Sequence, residues 1–294
     1  MTVSAIALHA RRNPGFSDRV AQALALLQQA AERHSGRIVF TTSLGAEDMV
    51  LTDLIASHGL PIALATLDTG WLHAPTLALI PRLESRYGLR VERWQPPAEE
   101  ALAFVRQHGE LAMRRSVVLR QACCALRKLE PLARALAGRR AWVTGLRREQ
   151  SGTRAEVPFR DIDDTGRHKF NPLADWSWQD VWHYIALHQV PFNPLHDEHF
   201  PSIGCEPCTR AVAQGEDFRA GRWWWESEDA KECGLHSTHA VAESAAVASR
   251  SEDTGGFASV QGHVGAADVS RSQDLDAKEC GLHPGTRHDK EIPA

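Results

Sequence analysis

Four short apolar runs, at 37–42, 62–67, 89–94 and 141–145, punctuate the first half of this chain, and the first three each precede a helical pattern. Runs of that length suit strands rather than helices, and the helical spacing falls at 47–57, 74–87, 98–108 and 123–137. Strands alternating with helices build βαβ units, and these build a parallel sheet. In such sheets ligands gather beyond the carboxyl ends of the strands, where Ser43, Asp68 and Gly145 fall. A further helical pattern at 17–34 starts behind Ser17-Asp18, a plausible cap and first turn. The stretch 155–172 reads as a hairpin or loop, and 177–189 as an amphipathic helix capped by Ser177 or Asp175.

The 294 residues allow a full hydrophobic core, and the net charge of −4 argues against bulk binding to nucleic acid. Local basic clusters, Arg147-Arg148 and Arg219 to Arg222, stand out against that balance as anion sites. No run is long and apolar enough to span a membrane, and the N-terminus lacks the order of a secretory signal. A cytoplasmic location is expected, where clustered cysteines serve as metal ligands or catalysts more often than as disulfides.

Six cysteines are present: adjacent Cys123 and Cys124, the CxxC pair Cys205 and Cys208, and the single Cys233 and Cys280. Four thiolates suit a [4Fe–4S] cluster. Adjacent cysteines on a helix diverge by about a hundred degrees, which is awkward for one tetrahedral zinc and less so for the separated corners of a cube. A structural zinc site and unrelated buried thiols are the rival readings.

Cys123-Cys124 and Cys205-Glu206-Pro207-Cys208 are followed by Arg219-Ala220-Gly221-Arg222-Trp223-Trp224-Trp225-Glu226 and Lys231-Glu232-Cys233-Gly234-Leu235-His236. Together they resemble the assimilatory adenylyl-sulfate (APS) and phosphoadenylyl-sulfate (PAPS) reductase family. The resemblance covers most of 17–236 and implies an α/β, adenine nucleotide α-hydrolase-like fold with a mainly parallel sheet flanked by helices. It divides the chain into an N-terminal extension, 1–16, a reductase domain, 17–226, and a mobile C-terminal segment, 227–294. It makes Cys123, Cys124, Cys205 and Cys208 the ligands of a [4Fe–4S] cluster. Members with the four-cysteine pattern usually take APS; those without it usually take PAPS.

The loop carrying Ser43, Gly45, Glu47 and Asp48 joins a strand to a helix, so its amides and the helix dipole can hold an anion. Taken alone it is equally well ordinary turn chemistry. Leu44 and Ala46 replace the permissive residues of related pyrophosphatase loops, which counts against ATP hydrolysis. By resemblance Leu67 and Thr69 contact the nucleoside, and the loop of Gly145 and Arg147, with Thr153-Arg154 beyond, recognises sulfate or phosphate. Lys128, four residues after Cys124, shares its helical face and lies where the family has a substrate-binding lysine. Arg219 and Arg222, three apart, would share a helical face and hold the phosphosulfate.

The Glu-Cys-Gly-Leu-His signature makes Cys233 the nucleophile by resemblance. Its thiolate would attack the sulfur of APS, and thioredoxin or a glutaredoxin-like dithiol would then release sulfite. The eight residues around Cys233 recur around Cys280, without the arginines or tryptophans. Cys233 is therefore preferred, and Cys280 is expected to be a neutral duplication, with a competing nucleophile and a disulfide to Cys233 as the rival readings. The rivals are PAPS reduction, ATP-dependent adenylation on the same fold, and a non-catalytic iron–sulfur sensor. A homo-oligomer remains open.

Overall fold

The computed structural model describes residues 3–227. The expected C-terminal segment, with Cys233 and Cys280, lies outside them, apart from Ser227 at its start. Six strands form one sheet in the order β3-β2-β1-β4-β6-β5: β1 Ile38–Thr42, β2 Ala63–Leu67, β3 Val91–Trp94, β4 Ala141–Val143, β5 Arg160–Ile162 and β6 His168–Phe170. All neighbours pair in parallel except β5 with β6. The α/β, mainly parallel architecture expected from the alternating runs is therefore present, and 155–172 resolves as a hairpin. The chain winds outward from β1 to β3, then returns to lay β4 on the other side of β1. That reversal opens a crevice beyond the carboxyl ends of β1 and β4.

The helices are α1 Ala5–His9, α2 Phe16–Arg33, α3 Ala46–Ser57, α4 Ala74–Tyr87, α5 Ala98–His108, α6 Val117–Cys124, α7 Glu130–Ala135 and α8 Trp178–His188. The α3 helix is buried on nearly every side, from Ala46 to Ile55, and packs against β1 and α8. Such a helix cannot shift without opening the core. Its one buried acid in mid-length, Asp53, accepts hydrogen bonds from the hydroxyls of Tyr87 and Tyr184, both at 2.8 Å. Among the described residues, no helix is long and apolar enough to cross a membrane.

Three local expectations change. The cap of α2 is Gly15 in the left-handed region, not Ser17-Asp18, because the helix begins one residue earlier with buried Phe16. The α8 helix does start at Ser177, in a capping box with Asp180. The N-terminal residues join the body: Ser4 and the amide of Ala5 both donate to Asp197, and α1 packs on α8.

The third change matters most. The pattern at 123–137 is not one regular helix. The chain turns helical earlier, behind the cap Ser116, then passes through a π-helical turn at Ala125–Leu129 before α7. A π turn widens the helix by one residue and re-aims the side chains on it. Here it buries Arg127 and Lys128. The Arg127 guanidinium donates to the carbonyl of Thr69 at 2.8 Å and stacks 3.7 Å from the centre of the Trp71 ring.

Removing Asp53 would leave the buried Tyr184 hydroxyl without an acceptor. Asp53→Ala is expected to lower unfolding free energy by about 1–3 kcal/mol for that hydroxyl alone. Urea denaturation measures it.

Candidate active site

The crevice between β1 and β4 is a cavity that gathers residues from six parts of the chain. Ser43, Gly45, Glu47, Asp48, Leu67, Thr69, Lys128, Gly145, Arg219 and Arg222 all line it. Arg147, also expected to bind substrate, is absent from its wall, as is Arg148. The Arg147 guanidinium lies buried beneath, donating twice to Glu47 Oε1, at 3.0 and 2.9 Å, and once to Glu149 at 2.7 Å. Arg147 thus joins the β4 loop to the first turn of α3 instead of reaching outward. Arg154 stands in the wall in its place.

The Ser43 loop is built tightly. Leu44, wholly buried, takes φ of 62°. That conformation costs a non-glycine residue roughly 1–2 kcal/mol, and burial of the side chain offsets it. Three of the loop's amides are engaged within it: Ser43 N–H donates to Asp48 Oδ2 at 2.5 Å, Leu44 N–H to Thr42 and Gly45 N–H to Ser43 Oγ. An anion at this loop would therefore meet the first turn of α3 rather than those three amides. Asp48 already supplies a carboxylate to Ser43, whose hydroxyl also donates to it at 2.6 Å. A side chain at Gly145 would place its Cβ 2.1 Å from Asp48 Oδ1, so only glycine fits there.

The two acids of the loop are shifted in opposite directions. Burial pushes Glu47 upward, but the Arg147 charge and hydrogen bonds from Gln150 and Arg147 outweigh it and hold the carboxyl below its ordinary range. Burial pushes Asp48 up to about 7, against the Ser43 hydrogen bonds and with help from the Glu47 charge. His196, a wall residue that the sequence reading missed, is pushed down to about 4 by burial. Its Nδ1 meets the carbonyl of Phe200 at 2.8 Å.

Opposite the loop, Arg219 and Arg222 share a face, through a tight turn and not a helix. The amide of Arg222 closes that turn onto the Arg219 carbonyl at 2.8 Å. Arg222 is 7% exposed, and its Nε has no hydrogen-bond partner among the described residues. A buried guanidinium with an unmatched donor fits an incoming oxyanion. Gly204 makes room for it, since a Cβ there would lie 2.4 Å from Arg222 Nη2. Lys128, brought in by the π turn, sits 5.9 Å from the centre of the Trp223 ring.

Behind this wall the four cysteines come together. Cys123, Cys124, Cys205 and Cys208 are all buried, and pack in one cluster with Met113 and Trp223. The CxxC turn is pinned from three sides. The amide of Glu206 donates to Trp71, Arg114 donates to the carbonyl of Pro207, and the amide of Trp223 donates to Cys208. Cys205 also lines the cavity, 3.2 Å from Thr69 Oγ1. Burial, then the neighbouring thiols, pushes Cys123 up to about 12, and Cys208 rises to about 12 for the same reasons. Among the described residues, no three His, Cys, Asp or Glu side chains are gathered tightly enough for a single metal ion. Cys233 lies outside the described residues.

A buried ion pair closes the arrangement. Arg120, on α6, donates to Glu226 from Nε at 2.9 Å and Nη2 at 3.0 Å, and its guanidinium lies 4.7 Å from the Trp223 ring centre. The two side chains are 0% and 4% exposed. This pair fastens the arginine–tryptophan segment onto the helix that carries Cys123 and Cys124. Glu226→Ala strands the Arg120 charge in the interior, and is expected to cost about 3–5 kcal/mol of stability. Guanidinium denaturation followed by tryptophan fluorescence measures the loss.

The phosphoadenosine phosphosulfate reductase domain model matches residues 37–211. An Allochromatium vinosum protein named adenosine 5′-phosphosulfate reductase is 56% identical over 232 residues, covering 77% of this chain and 90% of that one. A Burkholderia cepacia protein of the same name is 54% identical over 226 residues, covering 76% and 90%. Among solved structures, phosphoadenylyl-sulfate (PAPS) reductase from Candida auris, in a phosphate complex, matches with a TM-score of 0.55 and 26% identity. That match covers 67% of this chain and 94% of that one, and carries with it the adenine nucleotide α-hydrolase-like fold. With a family model matching more than half of the chain and relatives above 50% identity along most of it, this protein belongs to the phosphoadenosine phosphosulfate reductase family.

Proposed function

We propose that this chain reduces adenylyl sulfate to sulfite and AMP in sulfate assimilation, with thioredoxin or a similar dithiol as donor, in the cytoplasm. The observation that carries the reading is one cavity lined by Lys128, Arg219 and Arg222 on one side and by the β1 and β4 loops on the other. A nucleotide at the switch point would present its phosphosulfate to those three cations. Adenylyl sulfate is favoured over its 3′-phosphorylated form because the relatives above 50% identity are named for it, whereas the solved PAPS reductase stands at 26%.

Cys233 is the proposed nucleophile. Its thiolate attacks the sulfate sulfur, a new S–S bond forms, and the S–O bond to phosphate breaks with AMP as leaving group. One thiolate of the dithiol then attacks the Cys233 sulfur, releasing sulfite. Its second thiol closes the donor's own disulfide and restores Cys233. Lys128, Arg219 and Arg222 neutralise the oxyanions so that a thiolate can approach. Six residues separate Glu226, held by Arg120, from Cys233 in the sequence.

The four buried cysteines fit a [4Fe–4S] cluster. Burial and the neighbouring thiols drive Cys123 and Cys208 toward the protonated form, and a strongly positive group among the four would let thiolates coexist there. Their distribution over a helix and a facing turn suits separated iron corners better than a single ion. When bound, the cluster supplies electrostatic polarisation beside the sulfate, while the dithiol supplies both electrons. Cys123, Cys124, Cys205 and Cys208 would hold it, with Thr69 beside Cys205 and Arg120 facing Cys124.

Anaerobically purified protein is expected to release sulfite from adenylyl sulfate with thioredoxin. Cys233→Ser should abolish turnover and Cys280→Ser retain it. Absence of sulfite from both nucleotides would overturn the reading, and full turnover by Cys233→Ser would move the chemistry elsewhere.

The Asp48 carboxyl adds a pH dependence. Raised to about 7, it stays neutral below that value and ionises above it, placing a negative charge beside the anionic substrate. KM for adenylyl sulfate is expected to climb as pH rises through about 7, by up to roughly tenfold per pH unit. Asp48→Asn should flatten the KM profile while leaving the kcat profile in place.

A further inference from the structure

A second cavity, of about 550 Å³, lies at the other end of the sheet, where the strands begin. Four segments build it: Arg33 and His34 at the end of α2, Arg37 before β1, Arg140 before β4, and Arg167 with His168 entering β6. Backbone bonds lock three of these segments in a row. The carbonyl of Arg37 accepts from the amides of Arg140 and Ala141, at 2.8 and 3.2 Å, and that of Arg140 accepts from His168 at 3.0 Å.

The lining contains no aspartate or glutamate. Of the lining arginines, Arg167 pairs with Asp163 and Arg139 with Glu92. Arg33, Arg37 and Arg140 have no carboxylate partner among the described residues. The rings of His34 and His168 stand 4.8 Å apart between them. Burial first, then His168 and the arginine charges, holds His34 below its ordinary range, consistent with positive charge left uncompensated. The chain as a whole carries −4, so this is a local concentration on an otherwise acidic molecule. The dipole of α2 accounts for Arg33 in its last turn. Arg37 and Arg140 stand at strand starts, where no helix terminus calls for them.

We infer that this cavity binds a small soluble polyphosphate: inorganic di- or triphosphate, or the phosphate chain of a nucleotide. A terminal phosphate brings about −1.5 to −2 charges at pH 7. A chain of two or three phosphoryl groups therefore matches three guanidinium groups, whereas a lone sulfate leaves charge over. The volume falls within the roughly 300–1,000 Å³ of small-ligand sites. The site is distinct from the crevice at the carboxyl ends of the strands and does not depend on the reaction assigned to it.

Calorimetric titration of the full chain with inorganic triphosphate tests the inference, alongside an Arg37→Ser/Arg140→Ser double variant and Arg222→Ala. The expected result is binding that weakens at least about tenfold in the double variant, from the lost charge-assisted hydrogen bonds, and persists in Arg222→Ala. Repetition with ATP separates the two sources. Equal affinity assigns the free phosphate chain and tighter binding the nucleotide, and either outcome supports the site. Binding that survives in the double variant, or disappears only in Arg222→Ala, overturns it. So does a double variant that merely melts lower while the unaltered protein takes up no triphosphate.

Discussion

The buried pair of Glu47 and Arg147 is the constraint on which the crevice depends. It spans the point where the winding of the sheet reverses, joining the first turn of α3 to the loop after β4. Two strand ends that would otherwise be independent walls become one frame. An ion pair at this depth stabilises little in net terms, because desolvation offsets most of the attraction. Its effect is geometric: Glu47 is fixed by three donors, two from Arg147 and one from Gln150. With Glu47 held, Asp48 is held beside Ser43, and the close approach of Gly145 to that carboxylate follows.

A second frame stands across from the first. The CxxC turn, the Arg219–Arg222 turn and the cysteine-bearing helix are separate in sequence, yet each is tied to the next by backbone bonds and by Arg120 with Glu226. Cations and thiols therefore meet the cavity from one side while the nucleotide loops meet it from the other. The Trp223 ring lies between them, with Arg120, Lys128 and Arg222 all within 6 Å of its centre. A π face of that kind tolerates several positive charges that would otherwise repel one another.

Much of this was legible in the residues. Apolar runs ending in Ser43, Asp68-Thr69-Gly70 and Gly145 announce strand ends, and period alone separates them from the helices that follow. The paired cysteines announce their neighbourhood by spacing. Other features leave no such trace. Whether Arg147 or Arg154 faces the cavity depends on a short 3₁₀ segment whose orientation no pattern encodes. His196 comes from a short 3₁₀ turn, Pro194–Glu198, over which periodicity is silent. Leu44 in the left-handed region looks like an ordinary apolar residue. The Arg219–Arg222 spacing of three suits a helix and a tight turn equally well, and tertiary bonds decide for the turn.

The π turn at Ala125–Leu129 has a consequence for how this part of the chain tolerates change. It lies between the helix that carries Cys123 and Cys124 and α7, which packs on the sheet. Removing one residue from it would restore regular helix, and local propensity would welcome the change. The cysteine pair, however, would swing through about 100° around the axis, away from Cys205 and Cys208. Arg127 and Lys128 apart, the number of residues here is under tighter constraint than their identity, so a substitution at Ala125 or Leu126 should be borne far better than a single deletion.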